Sequence, residues 1–345
     1  MVTPPQLVER HFDDVLSHLK GTFDGDPESV HQARIATRRL REVLPLVDNA
    51  HLERAADAVR AAGRQLGRVR ELDVVGDLLL SMSDRLPHTT ATELHALRQA
   101  IDQRQRKARR RMVKTIERLD LPAVREVLAE GNSSTRAWRW LTGISGRMAS
   151  NWSDPIWTHI VTRSQEAARA ADRAPAIYFP NRAHKARIAI KKLRYAVEIA
   201  AETGIWRPDQ VLKDLRKLQG ILGDIHDLQV LGDLATQPLP GEGATAGDRS
   251  AISDFVDSEI IRHYAEYSRR REWIGPLVAA CTRAAAHRRR RIAPPVPVLA
   301  ASMFTAPLVL EAIMPARRTD AAPTHRRDKS VTKPLRGTAA ARGRH

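Results

Sequence analysis

From about residue 5 to about residue 290, apolar residues recur at three- and four-residue steps. Ala, Leu, Arg and Glu fill the positions between them, and no alternating β-branched run interrupts the pattern. Such a period predicts amphipathic helices with one dry face each, and hence an all-α fold. The helix signals are local. Asp26-Pro27 sets an N-cap acid before a proline at the first helical position, and Asn181 is placed to cap a matching helix later in the chain. Pro45 should end or kink the first of these helices, and Gly204 should close the second. Breaks near Pro87, Gly131, Pro155, Pro175 to Pro180 and Gln237 to Gly247 leave room for roughly four helices in each half of the chain.

The halves are copies. His31-Gln-Ala-Arg34-Ile-Ala-Thr-Arg38-Arg39-Leu40-Arg41 matches His184-Lys-Ala-Arg187-Ile-Ala-Ile-Lys191-Lys192-Leu193-Arg194, 153 residues later. Downstream, Leu66-Gly67 through Asp77-Leu78 matches Leu222-Gly223 through Asp233-Leu234, 156 residues later. Two blocks in the same order at nearly the same offset indicate one duplicated unit of about 150 residues, a size suited to a small helical bundle. Repeat one covers about residues 5–150 and repeat two about 155–290.

The repeated helix has two faces. With about 100° per residue and His31 at zero, Arg34 falls near 300°, Arg38 near 340° and Arg41 near 280°, an arc of about 80°. Ala33, Ala36, Leu40, Val43, Leu44 and Val47 form the opposite, apolar side. The second copy repeats the cations as His184, Arg187, Lys191 and Arg194 over Ala186, Ala189, Leu193, Ala196, Val197 and Ala200. Arg39 and Lys192 sit to one flank of the two rows. Like charges one turn apart repel, so a row of cations implies a ligand with closely spaced negative charges. Arginine's planar fork suits phosphate oxygens, and a row with a contact on every turn suits a linear polyanion. Both histidines lie in a first helical turn, where the helix dipole already favours anions, and are read as direct or pH-tuned phosphate contacts.

Composition agrees. Lys and Arg number 57 against 40 Asp and Glu, a formal charge of +17 in 345 residues. The tail from Ala316 contributes nine Lys/Arg and two Asp, so the body keeps +10. A charge that far from zero points to a polyanionic partner. Aromatics at 4% are few for a protein that stacks bases, which favours phosphate-only recognition over nucleic acid. The lone cysteine, Cys281, excludes an internal disulfide and a cysteine-based zinc site, and Met1 to Lys20 has no signal-peptide h-region, so a cytoplasmic protein is expected. The apolar stretch 296–314 holds Pro297, Pro307 and Glu311 and is short for a bilayer span; no integral membrane insertion is expected.

On these residues the chain resembles the CHAD family, the conserved histidine α-helical domain. The likeness rests on His31, Arg34, Arg38, Arg39 and Arg41, on the second copy ending Lys192-Leu193-Arg194-Tyr195, and on Leu222-Gly223-Asp224 to Asp227 with its counterpart at Leu66-Gly67. It spans about residues 5–290 and so covers domain 1–290. The resemblance implies two four-helix bundles related by pseudo-twofold symmetry, with a basic surface or pore between them. It also implies binding of inorganic polyphosphate, in some bacteria with association to polyphosphate or polyhydroxyalkanoate granules. The family usually reads Arg-Asp where this chain has Arg70-Glu71, a change that preserves charge. No Glu-x-Glu-x-Lys run occurs, so the triphosphate-processing barrel (CYTH) that many members carry is not expected here, nor is polyphosphate hydrolysis.

The expected polyphosphate contacts are therefore His31, Arg34, Arg38, Arg39, Arg41, His184, Arg187, Lys191, Lys192 and Arg194. Arg60, Arg64, Lys213, Arg216 and Lys217 rank as secondary basic contacts. The cationic cluster from Arg104 to Lys114 is read as a solvated helix, and Arg288 to Arg291 with the Pro/Ala/Arg-rich extension 291–345 as a basic tail, disordered over 315–345. No metalloprotease, Walker or nucleophile-elbow motif is present, so no catalytic residue, cofactor or metal is assigned. Asp224, His226, Asp227 and Asp233 are read as capping or pairing groups because their repeat partners Arg68, Arg70, Glu71 and Asp77 could not bind the same ion. The alternative readings are a nucleic-acid-binding basic protein, or a granule coat protein acting through 296–314.

Overall fold

A computed structural model describes residues 2–47, 49, 51–130, 153–174, 180–237 and 250–292. The chain divides into a unit Met1–Pro294 and a second unit Pro295–His345, and the second, with the apolar stretch and the tail, lies outside the described residues. All regular structure described is helical: α1 (Pro4–Ser17), α2 (Leu19–Asp24), α3 (Pro27–Val43), α4 (Leu52–Ser83), α5 (Ala91–Leu119), α6 (121–130), α7 (Ser153–Asp172), α8 (Pro180–Glu202), α9 (Asp209–Thr236), α10 (Ser250–Arg270) and α11 (Ile274–Ile292). Among the described residues no helix is long and apolar enough to cross a membrane.

The local signals act where they stand. The Asp26 carboxylate accepts from the Glu28 and Ser29 amides at 3.3 and 2.9 Å, satisfying two donors that open α3. Pro45 closes α3 through a 3-10 turn at Leu44–Leu46. Gly204 takes φ +75° after α8, and the turn returns the Ile205 amide to the Ala200 carbonyl at 3.2 Å. Asn181 behaves differently from expectation: α8 begins at Pro180, so Asn181 lies inside its first turn. The helix number also differs, with six α-helices before residue 131 and five after 152 among the described residues. The extra breaks come at His18 between α1 and α2, at Asp120 with φ +42°, and at the 3-10 turn Arg271–Trp273 between α10 and α11, and a left-handed Asp between α5 and α6 carries little signal in sequence. Arg288 to Arg291 fall on α11, so the helical body runs past the expected start of the tail.

Helix pairings recur between the halves. α1 packs on α3 and α7 on α8; α3 on α4 and α8 on α9; α4 on α5 and α9 on α10. α3 also touches α8, and α4 touches α9, so each repeated helix meets its own copy. The α4–α5 pair is antiparallel: Gln105 reaches Asp73, while Ile101 sits by Gly76. Both hydrophobic cores draw on both halves. The larger one gathers α1, α3, the start of α4, α6, α7, α8, the start of α9 and α11, including Phe12, Leu40, Leu66, Ile160, Leu193 and Leu222. The smaller one joins the far ends of α4 and α9 to the near ends of α5 and α10, through Leu79, Met82, Ile101, Leu231, Ile252 and Val256. Every residue assigned to the apolar side of α3 and α8 is buried. This fixes the rotation of both helices and turns their cationic faces toward one another.

Buried ion pairs lock the halves. Glu42 of α3 meets His159 Nε2 at 2.9 Å and Arg163 Nη2 at 3.0 Å, both on α7. On the other side, His11 of α1 meets Glu202 of α8 at 3.1 Å.

Candidate polyanion-binding site

The contact between α3 and α8 concentrates positive charge. Lys191 is pushed down to about 6, first by burial and then by the fields of Arg38, Arg187, Arg34 and Arg41. Arg34 falls to about 9, again through burial first, with Arg38 and Arg187 adding to it and Glu71 opposing. Arg187 is lowered by burial and by Arg38, against the pull of Asp227 and Glu71. Arg41, at the outer end of the row, is lowered by partial desolvation and by Arg38, Arg60 and Arg64, with Glu42 opposing. Residues 153 positions apart in sequence thus share one electrostatic environment. Cations this close cost free energy unless an anion lies among them.

The histidines flank the cluster. His31 is pushed down by burial and then by Arg70, Arg34 and Arg38, and its Nδ1 is buried with no hydrogen-bond partner. His184 is lowered by burial, His226, Arg187 and Lys191, and its ring lies 4.8 Å, centroid to centroid, from that of His226. At these depressed values both favour the neutral ring, and an incoming anion would favour the charged one.

Two acids bound the site at its inner end. Glu71 Oε1 lies 3.3 Å from His226 Nε2, a link between α4 and α9, and the carboxyl is held below its ordinary value by that bond, with Arg34 and Arg187 assisting. Asp227 sits near Arg187 and Arg34 but is raised, because burial outweighs them. Both lie within helices, so they are not caps; Glu71 pairs with His226, and both act electrostatically on Arg34 and Arg187. The signal for them was the repeat itself, since Glu71 and Asp227 hold equivalent places 156 residues apart. Asp224 points elsewhere, 3.7 Å from His263.

Three of the expected contacts are not in the cluster. Arg39 turns toward Glu198 and Glu202, 3.8 Å from each. Arg194 donates to Gln219 at 2.7 Å and Glu198 at 2.5 Å and stacks on Tyr195 at 4.3 Å. Lys192 lines a cavity of about 450 Å³ at the outer end of the row, with Arg41, Glu42, Arg60 and Arg163. The helical wheel placed Arg194 correctly in angle but carried no information about Glu198, one turn on, which holds it. Among the secondary contacts, Arg60 pairs with Asp57, Arg216 lies 3.6 Å from Glu198, and Lys217 sits 5.8 Å from the Trp273 ring. Arg64 and Lys213 are exposed.

The family model for the CHAD domain matches residues 6–236 of the chain. Among solved structures, the crystal structure of the CHAD domain from the plant Ricinus communis matches with a TM-score of 0.54 and 24% identity, over 80% of this chain and 90% of that one. At that identity the likeness speaks to the fold. No curated protein matches the chain.

Proposed function

The chain belongs to the CHAD domain family, and on that premise we propose that it binds inorganic polyphosphate, without chemistry, along the paired cationic rows of α3 and α8. The observation that carries the reading is the crowding of cations where α3 touches α8: Lys191 is depressed to about 6 and Arg34 to about 9, each by burial first and then by neighbouring arginines. An unliganded protein gains nothing from such crowding, whereas a chain of phosphates would neutralise it. His31, Arg34, Arg38, Arg41, His184, Arg187 and Lys191 are the proposed contacts. Arg39, Lys192 and Arg194 belong to the surroundings, and Glu71 and Asp227 partly offset the field of Arg34 and Arg187.

The test is a titration of polyphosphate into the wild type and into a variant with Arg34, Arg38, Arg187 and Lys191 changed to Ala, with duplex DNA as competitor. We expect affinity to collapse in the variant and to fall steeply with salt in the wild type. Unchanged affinity in the variant, or displacement by DNA at equal phosphate concentration, would overturn the reading. Cytoplasmic association with polyphosphate or polyhydroxyalkanoate granules is part of the same proposal. Localisation of the full chain beside residues 1–291 tests it: loss of granule localisation with polyphosphate binding intact would assign that role to the segment beyond Arg291.

A further inference from the structure

The first half carries a third row of cations, on α5, that the duplication does not copy. Arg104, Lys107, Arg111, Lys114 and Arg118 follow one another at steps of three and four. At about 100° per residue they fall within an arc of about 80° along about 21 Å of helix. Arg104 donates to Gln237 at 2.8 Å, and the other four are exposed. The salt bridges of α5 among the described residues are Arg98–Asp102 and Arg109–Asp73, and neither belongs to this row.

The second half offers the comparison, a face whose first acid, Glu259, is buried and also meets Arg85, just past the end of α4, at 2.9 Å. Buried positions set the register: Leu97 corresponds to Ile252, Ile101 to Val256 and Met112 to Tyr267, each 155 residues on. The five row positions then correspond to Glu259, Arg262, Glu266, Arg269 and Trp273. That face neutralises itself, with Glu259–Arg262 at 2.5 Å and Glu266–Arg270 at 2.8 Å. On α5 each position that holds an acid in α10 holds an arginine. At Arg104 and Arg111 the helix thus bears like-charge repulsion that Glu259 and Glu266 relieve in its counterpart.

Three members of the α5 row, Arg111, Lys114 and Arg118, line a groove. Gln65 and Arg68 of α4 close its other side, and with Arg111, Lys114, Thr115 and Arg118 they enclose about 420 Å³ with no acid in the lining. Arg68 lies one turn beyond Arg64 on α4, and Arg64 and Arg60 are close enough to Arg41 to act on it electrostatically. Cations therefore continue from Arg41 at the end of the α3 row, past Arg60 in its pair with Asp57, to Arg64, Arg68 and α5.

We infer that the α4–α5 groove is a second polyphosphate-binding track, private to the first half, which takes up the part of a long chain that overruns the central rows. Its lining favours a linear polyphosphate: four cations and two neutral polar residues, with no aromatic face for a base to stack on. The inference rests on the proposed function and predicts a dependence on chain length that the central site alone would not give.

The experiment compares the wild type with R111Q/K114Q/R118Q, using a short polyphosphate of about 8 units and a long one of about 100. Long-chain affinity should fall by about tenfold or more in the variant, with the slope of log affinity against log salt reduced by about 2 to 3, while short-chain affinity stays at the wild-type value. The charge-conserving variant R111K/K114R/R118K should keep wild-type long-chain affinity. Wild-type long-chain binding in the glutamine variant would overturn the inference, as would loss in the charge-conserving one. Loss of duplex DNA binding alone would assign the groove to nucleic acid and overturn it too. Failure of the wild type to bind polyphosphate of either length would instead defeat the proposed function, and the second track with it.

Discussion

Lys191→Met should make the unliganded protein more stable. The ammonium of Lys191 is lowered from 10.5 to about 6 by burial and by four arginines. A base whose folded value lies below its unfolded one destabilises the fold most below pH 6. That cost shrinks as pH rises toward 10.5 and vanishes above it. At about 1.36 kcal/mol per unit, the span from pH 7 to the unfolded value gives a ceiling of about 5 kcal/mol. The side chain is partly exposed, and solvent screening brings the expected cost to about 2 kcal/mol. Methionine keeps most of the apolar stem and removes the charge. Urea unfolding at pH 7 should then show a gain of about 2 kcal/mol, shrinking to under about 0.5 kcal/mol at pH 10. A destabilised variant, or the same gain at both pH values, would refute the claim that uncompensated charge surrounds this lysine.

Three further outcomes follow from the same geometry. Polyphosphate binding at pH 7.5 should take up protons, because an anion raises Lys191 back toward its ordinary value; calorimetry in buffers of different ionisation enthalpy reads this, and no uptake would argue against Lys191 as a contact. Glu42→Gln should cost about 3 kcal/mol at pH 7: burial pushes this carboxyl up, but His159 and Arg163 hold it below its ordinary 4.5. Its contribution is present above about 4.5 and is lost as pH falls through the lower folded value, so wild type and variant should converge in acid denaturation; a gap that persists at low pH would contradict the pairing. Gly220→Ala should stabilise α9 by about 0.5–1 kcal/mol, since its Cβ meets nothing within 4 Å. Gly232→Ala should gain less, since its Cβ would come 3.3 Å from Val256 at the approach of α9 to α10; equal gains in urea midpoint would deny that close contact.

Fold class and the dry faces of the two repeated helices were legible because helical period and burial are the same information. Ala33 through Val47 and Ala186 through Ala200 could be assigned by angle alone, and all six in each set are buried. The duplication supplied the equivalence of α3 and α8, but not their direct contact, which depends on tertiary packing. Individual roles were legible only where no acid intervened. Arg34 and Lys191 remain in the cluster; Arg39 and Arg194 are taken up by Glu198 and Glu202, which lie on α8 and, for Arg39, reach it only through the fold. Arg109 shows the converse: one of three consecutive arginines read as solvated, it donates to Asp73 at 3.1 Å and to the Gly25 carbonyl at 3.0 Å, tying α5 to α4 and to the turn before α3. The α5 row is illegible in sequence alone because adjacent arginines between its members hide a three-and-four spacing that becomes plain beside α10.

The central claim is that the two copies of one helix grip the same polyanion together. A double-mutant cycle tests it: Arg34 and Arg38 to Ala on α3, Arg187 and Lys191 to Ala on α8, and the four combined, each titrated with long polyphosphate at one fixed salt concentration. Each pair should lose about 1.4 kcal/mol or more of binding free energy. The combined loss should depart from the sum by about 0.5 kcal/mol or more, as expected for groups sharing one ligand. A loss confined to one helix, or two losses that simply add, would contradict the account.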